Sequence, residues 1–115
     1  MAVHYGVIGC GMMGQEHLRN LALLPDAEVV AIFEPDAVMR AKAAEVAPNA
    51  RLVGSVTELL AVETVGCLLI ASPNHFHLGQ LEEIAAIRPL PVLVEKPLFT
   101  NAADIARIEI LREKY

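Results

Sequence analysis

The 115-residue chain has only two cysteines, Cys10 and Cys67. They form no C-x-x-C pair and show no zinc-ligand spacing, so neither a dithiol centre nor a zinc site is indicated. Cys67 lies in an apolar run and reads as a small core residue. Cys10 occupies a loop position where its backbone matters more than its sulfur; a redox role for it is the lesser alternative. There is no run of lysine or arginine, and the net charge is −5. Nucleic-acid binding therefore has no support in the charge pattern. The longest apolar run, Val65 to Ala71, falls far short of the roughly 20 residues that span a bilayer, so no membrane partner is expected. No basic segment precedes an apolar one at the N-terminus, which argues against a signal peptide and for a cytoplasmic protein. Internal repeats, linkers and low-complexity stretches are also lacking. With 55% hydrophobic and 20% charged residues, the chain is globular, and residues 1–115 suffice for one domain with one core.

What is present centres on Gly9-Cys10-Gly11-Met12-Met13-Gly14, a G-x-G-x-x-G pattern. A short apolar strand, Val3 to Ile8, precedes it. A helix with Leu18, Leu21 and Ala22 on one face follows, from Gln15 to about Leu24. The first glycine lets the chain turn out of the strand, the second lets backbone approach a pyrophosphate, and the third lets the helix pack on the strand. Unpaired N–H groups at the helix start and its positive dipole end would hold the diphosphate, with Met12 and Met13 of the loop among the cofactor-binding residues. A second strand, Glu28 to Phe33, ends at Glu34. An acid about 20 residues past the loop can accept hydrogen bonds from the adenosine ribose hydroxyls. The competing assignment for the loop is a glycine-rich turn of some other α/β protein, and for Glu34 an exposed turn residue before Pro35.

The remaining pattern alternates strands with helices. Pro35-Asp36 starts a helix in which Met39, Ala43 and Val46 repeat at i, i+4, i+7. Arg51 to Val53 reads as a short strand, and Ser55 or Thr57 as the cap of a short helix through Ala61. A strand from Cys67 to Ala71 is broken by Ser72-Pro73-Asn74, which opens a helix burying Leu78, Leu81 and Ala85. Val92 to Val94 forms a fifth strand. Thr100 or Asn101 caps a last helix whose Ile108, Leu111 and Tyr115 share a face. Continuous apolar strands between helices imply a parallel sheet covered on both faces. The fold class expected is α/β, a three-layer, doubly wound Rossmann sheet of order 3-2-1-4-5. The fifth strand is apolar and carries no protective charge, although it lies at an edge. With no sixth strand after the last helix, a truncated N-terminal domain is expected.

Ligands of such sheets bind at the carboxyl ends of the strands. Three segments should meet there: Gly9–Gly14, Ser72-Pro73-Asn74-His75-Phe76-His77, and Glu95-Lys96-Pro97. Taken together and in this order, these segments resemble the three signatures of the Gfo/Idh/MocA oxidoreductase family, which includes glucose-fructose oxidoreductase and inositol dehydrogenase. The resemblance spans the whole chain. It implies an N-terminal Rossmann domain. It also implies a C-terminal α/β domain carrying most substrate contacts, the oligomer interface and a catalytic Asp and His. A nicotinamide cofactor, a sugar, inositol or polyol substrate and a homo-oligomeric parent are implied with it. The fragment itself should bind cofactor without turnover.

The resemblance makes Lys96 the catalytic candidate, beside the nicotinamide and the reacting oxygen, where an ammonium can donate to that oxygen. The competing assignment is a solvated lysine after an edge strand. Glu95 could supply charge to Lys96, contact the nicotinamide ribose or bond to the turn backbone. A cis Lys96–Pro97 peptide is implied by the resemblance. Asn74 could bond to ribose or nicotinamide, or cap its helix. Ser72 and Pro73 belong to the same cofactor-binding turn. His77 could touch cofactor or substrate, or serve packing. His75 and His77, two residues apart, diverge, so no metal site is assigned. His4 and His17 read as structural. Glu34 repels the 2′-phosphate of NADP and suits NAD; Arg40 could admit NADP by swinging back. The alternatives in other classes are a non-catalytic nucleotide-sensing or scaffold module and a CoA-binding domain, the latter disfavoured by Glu34 and the Glu95-Lys96-Pro97 turn.

Overall fold

A computed structural model describes residues 2–115. Five strands, β1 (Val3–Ile8), β2 (Ala27–Phe33), β3 (Arg51–Val53), β4 (Cys67–Ile70) and β5 (Val92–Val94), alternate with helices α1 (Met12–Ala22), α2 (Ala37–Val46), α3 (Val56–Leu60) and α4 (His77–Ile87). Helix α5 (Ile105–Lys114) follows β5. The strands form one sheet in the order β3-β2-β1-β4-β5, and every neighbouring pair is parallel. This is the Rossmann-type order expected from the sequence.

Successive strand residues point to opposite faces, and this alternation splits the core in two. Val7, Ile32 and Leu69 face one side, where they meet Leu18 of α1 and Ala43 of α2. Ile8, Ala31, Leu68 and Ile70 face the other, under Leu59 of α3 and Leu81 and Ile84 of α4. The arrangement is three layers, with helices on both sheet faces; the edge-strand residues Leu52 and Leu93 of the α1–α2 face stay exposed, at 42% and 62%. Arg88, at the end of α4, fastens the α3–β4 connection beneath it. Its guanidinium donates to the carbonyls of Leu60, Val62, Glu63 and Val65 at 2.8–3.1 Å. Charge-assisted bonds of this kind are stronger than neutral ones.

Several boundaries differ from those read in the sequence. Helix α1 starts at Met12, not Gln15, because Gly11 already stands at its N-cap. The helix expected after Pro73 opens as a tight 3₁₀ turn, Asn74–Phe76, and becomes α-helical only at His77. The Asn74 side chain caps nothing there; Pro73 takes the cap position. Ser55, not Thr57, caps α3, its Oγ accepting from Glu58 N–H at 3.0 Å. Asn101, not Thr100, caps a 3₁₀ turn, Ala102–Asp104, ahead of α5. Leu111 is buried as expected, but Tyr115 is 54% exposed because α5 ends at Lys114. Met39, read as part of the core stripe of α2, is 40% exposed, and its place is described below.

Candidate functional site

The site is built where β1 ends. Gly9 N–H still donates to the Phe33 carbonyl at 2.9 Å, which continues the ladder with β2. Gly9 then adopts φ +91°, the left-handed region, and turns the chain out of the sheet. A Cβ on Gly14 would stand 2.1 Å from Gly9 O. The absence of that carbon lets α1 close on the end of β1. Gly11 caps α1 through backbone alone: no side chain bonds to the first turn, and no acidic residue occupies it. The N–H groups of Met12, Met13 and Gly14 are therefore left for an external acceptor, at the positive end of the helix.

Met12 and Met13 border a cleft of about 840 Å³, within the range of small-molecule sites, roughly 300–1,000 Å³. The glycine loop contributes Gly9, Gly11, Met12 and Met13. The end of β2 and the start of α2 contribute Phe33, Glu34, Pro35, Asp36 and Met39. From the end of β4 come Ala71, Ser72, Pro73 and Phe76, and from α3 and α4 come Ser55, Val56, Gln80 and Glu83. Ser72 is buried, and its Oγ donates to Gln80 Oε1 at 2.5 Å.

Glu34 is 6% exposed and is not the exposed turn residue that was its alternative. Its Oε1 accepts from Cys10 N–H at 2.7 Å and its Oε2 from Asp36 N–H at 2.9 Å. The carboxylate thus ties the glycine loop to the start of α2. Each oxygen keeps a further lone pair for a ligand hydroxyl. Arg40 folds back on the same turn, donating to the carbonyls of Glu34 at 3.1 Å and Pro35 at 3.4 Å.

Of the cofactor candidates read in the sequence, Gly9, Gly11, Met12, Met13, Glu34, Ser72 and Pro73 line this cleft. Gly14 lies behind the loop against Gly9. Asn74 is exposed and lines a separate hollow of about 100 Å³ with Thr100, Asp104 and Arg107. His77 is corrected: it is wholly buried, with Nδ1 2.8 Å from Pro97 O and Nε2 2.7 Å from Ser72 O. Both ring nitrogens face backbone carbonyls, so the ring offers none to a ligand. Glu95 and Lys96 lie outside the cleft lining. The Glu95 carboxylate pairs with His17 of α1, not with Lys96. Lys96 is exposed, and the Lys96–Pro97 peptide is cis.

Sequence reasoning missed Met39, Phe76, Gln80, Glu83 and the His17–Glu95 pair. Phe76 stands inside one of the three motifs, and it lines the cleft while 49% exposed. Met39 had a core-like helical spacing, and only its neighbours reveal its role: its sulfur lies 3.7 Å from where a Cβ on Gly11 would be.

Cys10 is fully buried beneath the loop. Burial first, and then the Glu34 charge, push its thiol from its ordinary 9.0 up to about 12. The thiol is thereby kept protonated and unreactive, which removes the redox alternative. Below pH 9.0 the thiol is protonated both folded and unfolded, and stability does not depend on it. Above that, the unfolded chain releases the proton and the folded chain retains it. Stability will therefore fall as pH rises toward about 12, by up to about 1.4 kcal/mol per pH unit. Urea unfolding across the alkaline range, beside Cys10→Ala, checks this: the variant should have the shallower slope, with Cys67 and Tyr115, both also pushed up by burial, contributing to what remains.

No helix among the described residues is long and apolar enough to cross a membrane. Among the same residues, no group of three or more His, Cys, Asp or Glu side chains is placed to hold a metal ion.

Comparison with known proteins puts this geometry in a family. The family described as "Oxidoreductase family, NAD-binding Rossmann fold", GFO_IDH_MocA, matches residues 3–114. Inositol 2-dehydrogenase of Corynebacterium glutamicum (strain R) is 36% identical over 115 residues, covering 98% of this chain and 34% of that protein. The crystal structure of myo-inositol dehydrogenase from Lactobacillus casei, in complex with NAD(H) and myo-inositol, superimposes with a TM-score of 0.90 at 28% identity. It covers 100% of this chain and 34% of that one. A 3-ketoreductase from Actinomadura kijaniata, in complex with NADP and TDP-benzene, gives a TM-score of 0.81 at 25% identity, covering 99% of this chain and 35% of that one. The chain spans about a third of the length of these relatives. Its three motifs, its strand order and the match over nearly every residue agree: the chain belongs to the Gfo/Idh/MocA oxidoreductase family and corresponds to that family's NAD-binding Rossmann fold.

Proposed function

We propose that residues 1–115 are the cofactor-binding part of an NAD-dependent oxidoreductase that moves hydride between the nicotinamide and a carbon of a sugar, inositol or related polyol. The observation that carries this reading is the uncapped start of α1, opening on a cleft that also presents the Glu34 carboxylate, held beside the glycine loop. A dinucleotide needs both: donors for its diphosphate and an acceptor for its ribose hydroxyls.

The cofactor supplies the hydride chemistry when bound. Gly9, Gly11, Met12 and Met13 give it bare backbone and amide donors. Glu34 accepts from the adenosine ribose and disfavours a 2′-phosphate by charge repulsion. Arg40, engaged on the turn carbonyls, leaves that preference in place, so NAD is favoured over NADP. Ser72 and Pro73, which line the cleft, would border the path toward the nicotinamide, while Asn74 faces the separate hollow and is assigned no contact with it. Lys96, by its place in the motif, donates to the substrate oxygen and stabilises charge developing there. The Asp and His implied by the family resemblance would come from a further domain, as would the substrate pocket and the oligomer interface. The 115 residues alone should therefore bind NAD without oxidising a polyol.

Calorimetric titration with NAD, NADP and CoA tests this. NAD should bind, NADP more weakly, and CoA not at all. Absence of any NAD heat, or polyol turnover by this chain alone at the rate of a complete dehydrogenase, would overturn it.

A further inference from the structure

The carboxyl end of β5 holds a second arrangement, distinct from the cleft. Strand β5 is three residues long, and its last contact with the sheet is Glu95 N–H donating to Ile70 O at 2.9 Å. Beyond Glu95 the strand ladder no longer positions the chain. Lys96 is exposed, so nothing in its own burial places it. Its position rests on what holds the residues on either side.

Both sides are held by histidine. On the N-terminal side, the Glu95 carboxylate meets His17 Nε2, a contact between residues 78 apart in sequence. The two side chains are only 24% and 29% exposed, so the pair is less screened than a surface ion pair. On the C-terminal side, the Pro97 carbonyl faces His77 Nδ1 at 2.8 Å, while Nε2 of the same ring faces Ser72 O at 2.7 Å. His17 lies one turn into α1, three residues past Gly14, and His77 is the first residue of α4. The two rings therefore join the turn to two segments that line the cleft, the glycine loop with its helix and the Ser72-Pro73 turn.

We propose that His17 and His77 are positioning residues that grip the Glu95-Lys96-Pro97 turn from both flanks and set where the Lys96 ammonium stands. The proposal rests on the reading of Lys96 given above. Carboxylate and carbonyl anchors fix backbone on each side of one residue, which leaves only the lysine's own torsions free. A group that must meet a reacting oxygen gains from such support, since small misplacements at a reacting centre are costly. His17 is thus assigned a role beyond helix packing, and His77 acts through the turn and not on the cofactor.

The test uses the isotope-labelled chain, without and then with ligand. His77 is wholly buried and its variants can fail to fold, so His17 carries the experiment. His17→Leu keeps the bulk and removes the donor; His17→Gln keeps an N–H for Glu95. In the ligand-free chain, the Lys96 backbone and side-chain resonances should shift in His17→Leu and return toward wild type in His17→Gln. NAD affinity should fall about tenfold in His17→Leu, the cost of roughly one contact. Affinity for ADP-ribose, which lacks the nicotinamide, should hold within about twofold, and His17→Gln should recover most of the NAD loss. Unshifted Lys96 resonances in His17→Leu overturn the proposal. So does an equal fall for NAD and ADP-ribose, which would mark a general loosening of α1. If the wild-type chain binds neither ligand, the functional reading fails, and the Lys96 resonances still decide the clamp.

Discussion

Replacing Gly9 with alanine will destabilise the fold by about 4 kcal/mol and abolish cofactor binding. At φ +91° an added Cβ would stand 2.3 Å from Ser72 N, 2.4 Å from Ser72 Cα and 2.7 Å from Ala71 C. All three atoms are backbone, and that backbone is itself pinned, with Ala71 N–H donating to Ile8 O at 2.8 Å. No flexible side chain is available to move aside. The left-handed conformation alone costs a non-glycine residue about 1–2 kcal/mol, and overpacking against rigid surroundings adds about 1–3. Gly11→Ala is the control. Its Cβ would meet only the Met39 sulfur at 3.7 Å, ordinary contact, so the fold should tolerate it while NAD binding weakens. Denaturant unfolding of the two variants gives the comparison. A Gly9→Ala protein as stable as Gly11→Ala would mean that the end of β1 does not press on the Ala71-Ser72 backbone as described.

Replacing Glu34 with alanine should weaken ligand binding strongly without the backbone clash of Gly9→Ala, for two separable reasons. The carboxylate accepts from Cys10 N–H, which is buried, and from Asp36 N–H, which water can reach. Losing the first strands a buried donor, at about 1–3 kcal/mol, while solvent offsets the second. The glycine loop then loses a tether and NAD loses its ribose acceptor, so affinity should fall about 100-fold, near 3 kcal/mol. The NADP comparison isolates the charge. Without the carboxylate, NADP should lose less than NAD, and the preference between them should narrow. Glu34→Gln keeps an acceptor for Cys10 but turns a donor toward another donor at Asp36, so it should fall between. An unchanged NAD-to-NADP ratio in Glu34→Ala would show that this carboxylate does not face the ribose 2′ position. The same substitution should also ease the Cys10 thiol downward, because Glu34 is the lesser of the two causes that raise it.

Much of the site was legible before the fold was seen. Val3–Ile8, Arg51–Val53 and Val92–Val94 are strands with the bounds read from apolar runs. The first glycine turns and the third packs, as their spacing implies. Other residues misled because local pattern cannot distinguish destinations. Met39 repeats with Ala43 and Val46 like a core residue, yet it lies one turn too near the carboxyl rim and reaches the cleft. His77 sits in a functional motif, but the 3₁₀ turn before it rotates the helix start and buries the ring among carbonyls.

By itself the sequence determined the alternation of strands and helices, the parallel sheet and the glycine turn between β1 and α1. Each of these follows from backbone torsions and hydrophobic period over a few neighbouring residues. Only the tertiary structure decided that Glu95 answers to His17 and not to Lys96, that Glu34 braces the glycine loop as well as facing the cleft, and that His77 spans Ser72 and Pro97. Such partners are chosen by the distance and direction in which a folded sheet delivers side chains. Residues 78 apart in sequence carry no local mark of having met.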